Sequence, residues 1–190
     1  MAALPQHHDI TAEEFAAMPR NGLRTELVRG EIITMPPAFT DHGETAMRLS
    51  IILGHYVLEH DLGKMYTAET GFLIARNPDT IRAPDLAFIQ KRRLTPDASG
   101  PHWGLIVPDL VAEVASTYDR AAEIADKVQM WLDAGVQVVW VAYPMAREIV
   151  AREIAVHHPG QAVQTLNDQA TLDGGTLIPG FATPVARIFG

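Results

Sequence analysis

The feature that most constrains the fold is a block of two apolar runs separated by a helical segment, over residues 109–115, 117–134 and 136–143. Residues 136–143 form an apolar run of the kind expected for a central strand covered on both faces. Residues 117–134 predict a long helix stopped by Gly135, with Ile124, Val128, Trp131 and Leu132 at three-four spacing, which places Trp131 in the core. The first run, Val107-Pro-Asp-Leu-Val-Ala-Glu-Val-Ala115, carries one carboxylate, Glu113, into a predicted strand.

A second acid has the same character. Asp85 sits in Arg82-Ala-Pro-Asp-Leu-Ala-Phe-Ile89, an alternating apolar run of strand type. An unpaired buried carboxylate is costly, so an acid inside an apolar strand needs a cation or a dense set of donors. Two such acids on two strands suggest a shared cation. Lys127 follows on the helix, four residues after Glu123 and on the same face. Two acids and a lysine are the simplest arrangement for metal-assisted hydrolysis of a phosphodiester: acids hold the metal, the metal activates water, and the ammonium offsets charge. The competing reading is a structural ion pair between Glu113 and Lys127, which leaves Asp85 unpaired.

Elsewhere, residues 10–18 predict a short helix with Thr11 as N-cap and Glu14 completing a capping box. Residues 24–35 predict a hairpin turned at Arg29-Gly30, in which Glu26 and Glu31 are expected to face solvent, with Glu26 an auxiliary site candidate. Residues 41–60 predict a long helix whose apolar face includes Met47, Leu49, Ile51, Leu53, Val57 and Leu58, with Gly63 as its stop and His42 in its first turn, placed to contact phosphate or water. The three histidines of this helix, His42, His55 and His60, form no metal pattern. Residues 64–75 predict one strand, returned by Asn77-Pro-Asp79 to pair antiparallel with the Asp85 strand, so that Glu69 shares the Asp85 site if the register allows. A surface loop over 91–108 follows. After residue 143, an outer strand at 147–157 and edge pieces at 162–166 and 176–178 complete the sheet. The reading is one α/β domain over residues 1–190.

Composition narrows the chemistry. No cysteine is present, so any metal is held by oxygen or imidazole. No run reaches the roughly 20 apolar residues that span a bilayer, and the N-terminus lacks a signal pattern, so a cytoplasmic protein without a membrane partner is expected. The net charge of -8 counts against a nucleic-acid enzyme, although Lys91-Arg92-Arg93 offers a local basic cluster for a phosphate backbone.

The chain resembles the Uma-type restriction endonuclease family, long catalogued as a domain of unknown function within the PD-(D/E)XK nuclease superfamily. The resemblance rests on Glu26-Leu-Val-Arg-Gly-Glu31 followed by Met35-Pro36, His42, Pro84-Asp85, Pro108-Asp-Leu-Val-Ala-Glu-Val-Ala-Ser116, Glu123 with Asp126-Lys127, Ala134-Gly-Val-Gln-Val-Val-Trp-Val141 and Ile178-Pro-Gly-Phe181. It implies a restriction-endonuclease-like mixed sheet with an α-β-β-β-α-β core flanked by helices, preceded here by the N-terminal helix and hairpin. It also implies a Mg²⁺-dependent endonuclease acting on DNA, with Mn²⁺ as a substitute ion. Asp85 and Glu113 would be the metal ligands, helped by a main-chain carbonyl near Val114. Lys127 would replace the superfamily lysine, whose usual place two residues after Glu113 is taken by Ala115, and would orient or deprotonate the attacking water. Glu69, Glu26, His42 and Glu123 are auxiliary candidates, and a homodimer is expected. Thr117, Glu123, Trp131 and Tyr143 stand where the family usually has proline, aspartate, tyrosine and aspartate. The alternatives are a catalytically silent scaffold that binds nucleic acid or a protein partner, and hydrolysis of a smaller phosphate ester.

Overall fold

The computed structural model describes residues 8–19, 22–96, 100, 102–116, 118–144 and 152–190. Helix α1 (Ala12–Ala17) begins with the expected capping box, in which the Glu14 N–H donates to Thr11 Oγ1 and the Thr11 N–H donates to the Glu14 carboxylate. The hairpin follows as β1 (Arg24–Val28) and β2 (Glu31–Met35), paired from Arg24 with Met35 to Val28 with Glu31. Its turn places Arg29 and Gly30 at φ 51° and 78°, the left-handed pair that a tight hairpin requires.

Helix α2 (Thr40–Glu59) buries Leu49, Leu53 and Val57, but Met47, Ile51 and Leu58 are exposed, so its apolar face is narrower than expected. Gly63 does not stop this helix. It opens β3 (Gly63–Thr67), where a Cβ would collide with the Ile89 carbonyl oxygen of the neighbouring strand. Nor do residues 64–75 form one strand. A turn containing Glu69 separates β3 from β4 (Phe72–Ala75), and β4 returns into β5 (Thr80–Arg82) instead of into the Asp85 strand. That strand, β6 (Leu86–Gln90), lies in a different sheet and pairs with β3. Pro84, which has no N–H to give a ladder, marks the break between β5 and β6.

β7 (Leu110–Val114), α3 (Ala121–Asp133) and β8 (Val138–Tyr143) form the predicted strand, helix and central strand. The helix starts at Ala121, later than expected, and Thr117 lies outside the described residues. β9 (Glu153–His157) pairs antiparallel with β8, while residues 147–151 of the predicted outer strand lie outside the described residues. β10 (Gln164–Asn167) is the edge strand. Residues 176–178 form no strand. A two-stranded ribbon of β11 (Thr171–Asp173) and β12 (Ala182–Pro184) brackets them, ahead of the short helix α4 (Ala186–Phe189).

The principal sheet runs β10-β9-β8-β7-β6-β3, with β7 and β8 parallel and the other neighbours antiparallel. Its two faces have separate cores. Leu49, Leu53 and Val57 of α2 pack on Phe88, Leu110, Ala112 and Trp140, and Val128 and Trp131 of α3 pack on Ala87, Val111, Val139 and Val141. The sequence α2, β3, β6, β7, α3, β8 is therefore the expected α-β-β-β-α-β core, with β4 and β5 diverted into a second sheet of order β2-β1-β5-β4. The crossing between the sheets is the segment Ala83-Pro84-Asp85.

Candidate active site

Where β6 and β7 diverge, two acids meet. The pairs Leu86 with Ala112 and Ala87 with Val111 set a register whose next step would put Asp85 opposite Glu113. Asp85 instead lies in a bend, and its Oδ2 accepts the N–H of Val114 at 2.9 Å. Alternation along β7 sends Val111 and Ala115 to the α3 side, and Glu113 shares that parity.

Each acid has its own partners. Lys127 Nζ donates to Glu113 Oε2 at 2.7 Å, and the Trp131 indole N–H donates to Oε1 at 2.9 Å. Both donors come from one face of α3, four residues apart. Asp85 is flanked by His42 Nε2, 3.2 Å from Oδ2, and by Arg24 Nη2, 3.5 Å from Oδ1. The competing reading of a Glu113–Lys127 ion pair therefore does not leave Asp85 unpaired. His42 belongs to the site because the first turn of α2 points at the bend after Pro84.

Glu26 is a second correction. Expected to face solvent, it is 1% exposed. Arg82 Nη1 donates to its Oε2 at 2.6 Å, and the Ala83 N–H donates to its Oε1 at 2.8 Å. Glu26 therefore fixes the crossing that delivers Asp85. Arg24, two residues earlier on the same face of β1, donates to the Ala83 carbonyl at 3.4 Å, and its buried Nε finds no partner among the described residues.

The electrostatics tie these groups together. Burial pushes the Asp85 carboxyl up, but the hydrogen bond and charge of His42, then Lys127 and the Val114 N–H, outweigh it and hold the pKa below the ordinary value. His42 is correspondingly raised, chiefly by its hydrogen bond to Asp85. Burial lifts the Glu113 carboxyl above the ordinary range, with Asp85 and Glu26 adding to the rise and Lys127 opposing it. Burial works against the Lys127 ammonium, yet Glu113, Glu26 and Asp85 prevail and keep it protonated to higher pH than usual. Asp85, Glu113 and Lys127 thus sense one another's charge.

The remaining candidates are Glu69, Glu123 and the basic triplet. Glu69 is exposed in the turn after β3 at φ 72° and lines a groove of about 390 Å³ that reaches Arg24, Glu26 and Ala83. Glu123 turns back to accept the Arg120 N–H at the start of α3, where it serves as a cap. The basic triplet Lys91-Arg92-Arg93 forms a 3-10 turn at the far end of β6 from Asp85. There Lys91 pairs with Asp61, Arg92 donates to Gln90 Oε1, and Arg93 lies 2.8 Å from the fully buried Asp109. Arg24 and Trp131 were missed as site residues. For Trp131 the only signal was its position four residues beyond Lys127.

The donor set fits a hard divalent ion. Asp85 and Glu113 offer carboxylate oxygens, and Mg²⁺ is commonly held by one or two carboxylates while keeping several waters. Among the described residues no group of three or more His, Asp or Glu side chains is placed to hold a metal ion. Each Glu113 oxygen accepts one hydrogen bond in the structure and retains a second lone pair.

Residues 12–186 match the Uma2 family, described as "Putative restriction endonuclease". A crystal structure of "a putative nuclease belonging to DUF820" from Anabaena variabilis superposes with a TM-score of 0.80 at 18% identity, covering 95% of this chain and 97% of that one. It shares the fold. No curated protein matches the chain. Among the described residues no helix is long and apolar enough to cross a membrane.

Proposed function

Because the chain belongs to the Uma2 restriction endonuclease family, we propose that it is a metal-dependent endonuclease that hydrolyses DNA phosphodiester bonds at the Asp85–Glu113–Lys127 cluster. The observation that carries this reading is the convergence of both acids and the ammonium at the divergence of β6 and β7. Asp85 and Glu113 would hold Mg²⁺, or Mn²⁺ in its place, and the ion supplies a polarised water and neutralises phosphate charge when bound. Lys127, which donates to Glu113 Oε2, orients or deprotonates the attacking water and places a positive charge toward the developing phosphorane. Arg24, 3.5 Å from Asp85 Oδ1, adds a second cation beside the acids. Trp131 and Val114 hold the carboxylates in place.

The test is plasmid nicking across a series of divalent ions. Asp85→Ala and Glu113→Ala should abolish cleavage and calorimetric Mn²⁺ binding together, while Lys127→Ala should abolish cleavage with ion binding largely kept. Three variants that nick like the parent at saturating metal would remove the assignment.

One observation favours a second reading, a nuclease-like scaffold that binds nucleic acid or a partner without turnover. The acids already have protein cations: Glu113 has Lys127, Glu26 has Arg82, and Asp85 has His42 and Arg24. A network closed in this way stands without a metal. Absence of any Mn²⁺ binding in the calorimeter would select it.

A further inference from the structure

Phe39 and Tyr118 are exposed, at 55% and 78%, and their rings lie 5.5 Å apart with planes inclined at 36°. Two apolar rings held together in water are not accounted for by the core, which neither joins. Their place in the fold is specific. Phe39 is the N-cap residue of α2, three positions before His42, and His42 Nε2 touches Asp85 Oδ2. Tyr118 lies four positions after Val114, whose N–H donates to the same Oδ2. Both ring residues are thus close in the chain to a group that touches Asp85 Oδ2, His42 on one side and Val114 on the other, and the two rings touch each other. The Tyr118 end is anchored: the Ser116 N–H donates to Asp119 Oδ2 at 2.8 Å, and the Tyr118 N–H donates to Ser116 Oγ at 3.4 Å.

We infer that Phe39 and Tyr118 form a stacking platform at the rim of the acid cluster that receives an unpaired nucleobase of the substrate strand, so that the enzyme acts on single-stranded or frayed DNA in preference to intact duplex. This rests on the nuclease reading above and adds the substrate class to it. The chemistry follows from what a base can offer. Inside a duplex both faces of a base are covered, whereas an unpaired base presents a π-face to any exposed ring. The charge balance points the same way. With a net charge of -8, and with Lys91 and Arg93 paired to Asp61 and Asp109, this chain gains little from any phosphate backbone, so a base free to stack adds what a closed duplex cannot. Stacking is tolerant of sequence and supplies affinity by another route.

The experiment uses the full chain in EDTA, with oligonucleotides carrying the fluorescent base 2-aminopurine, either single-stranded or annealed, and a parallel cleavage assay in Mg²⁺ or Mn²⁺. The parent should quench the single-stranded probe and bind it more tightly than the duplex. Phe39→Leu and Tyr118→Leu should each weaken that binding about tenfold and raise KM for single strands with kcat nearly kept, since one base–ring contact is typically worth that much. Tyr118→Trp should restore both, and the loss should be the same at about 50 and about 200 mM salt because no phosphate contact is removed. Both positions are exposed, so the melting temperature should not move. If the leucine variants bind, quench and cleave as the parent does while Asp85→Ala is inactive, the platform is wrong and the nuclease reading stands. If the parent neither binds nor cuts any DNA, both fall. Ring-dependent quenching without cleavage would keep the platform and remove the catalysis.

Discussion

At the level of single residues, the site is a set of buried charges whose partners decide what each can do. Glu26 is the most secluded, and Arg82 is its cation from a strand 56 residues away. Arg82→Met should destabilise the protein by about 3 kcal/mol, since removing one partner strands a buried charge. Urea unfolding measures this, and a loss under about 1 kcal/mol would mean the pair is better hydrated than its burial implies. His42 and Asp85 make a second pair whose sign can be worked out. The His42 pKa is raised above 6.5, so its stabilisation is complete below that value and fades as pH rises through the folded-state pKa. Asp85 is depressed below 3.8, so its share is present above that value and fades as pH falls through the folded-state pKa. The pair is at full strength between the two ordinary values. Metal-free parent should therefore lose more melting temperature than His42→Gln between about pH 6 and about pH 8.5. Parallel curves would show that the imidazole does not titrate against Asp85. Asp85, Glu113 and Lys127 were legible in the sequence because a charge inside an apolar run asks for a reason. Glu26 was not, since in a short hairpin an acid bound for Arg82 looks the same as one bound for water.

At the level of elements, the reading held where a segment's pattern answers to one partner and failed where two sheets compete for the same strand. The capping box of α1, the Arg29-Gly30 turn, and the β7, α3, β8 block each carry local signals strong enough to specify themselves. The stretch from β3 to β6 does not, because its alternation is compatible with a single long hairpin. The turn at Glu69 and the break at Pro84 instead send β4 and β5 to the hairpin sheet and β3 and β6 to the principal one. That division leaves Glu69 in a turn with a left-handed backbone, a conformation that costs a non-glycine residue about 1 kcal/mol. Glu69→Asn should consequently leave cleavage and metal affinity unchanged and raise stability by about 0.5 kcal/mol, since asparagine tolerates this region better. A variant that lost metal affinity would return Glu69 to the ligand set.

At the level of the whole molecule, the two sheets are unequal. The principal sheet is covered on both faces, whereas the hairpin sheet has a core of Ala12, Leu27 and Ile81 with Ile10, Phe15, Leu73 and Trp103 partly buried around it. So small a core cannot contribute much, and polar ties hold the unit to the rest: Glu26 to Arg82 and Ala83, Asp79 to the Ala12 N–H, and Arg76 to Glu13 and Asp79. Asp85 is delivered by the very segment that Glu26 fixes, so this acid depends on the weaker unit for its position. Amide exchange should then separate the two sheets, with β1 and β2 opening at lower free energy than β7 and β8. Glu26→Gln keeps the side chain's size but weakens its bond to Arg82. It should speed exchange in β1 and β2 and lower Mn²⁺ affinity at Asp85, without changing exchange in β7 and β8. Uniform acceleration across both sheets would show a single cooperative unit, and an unchanged ion affinity would show that Asp85 is held by Val114 and His42 alone.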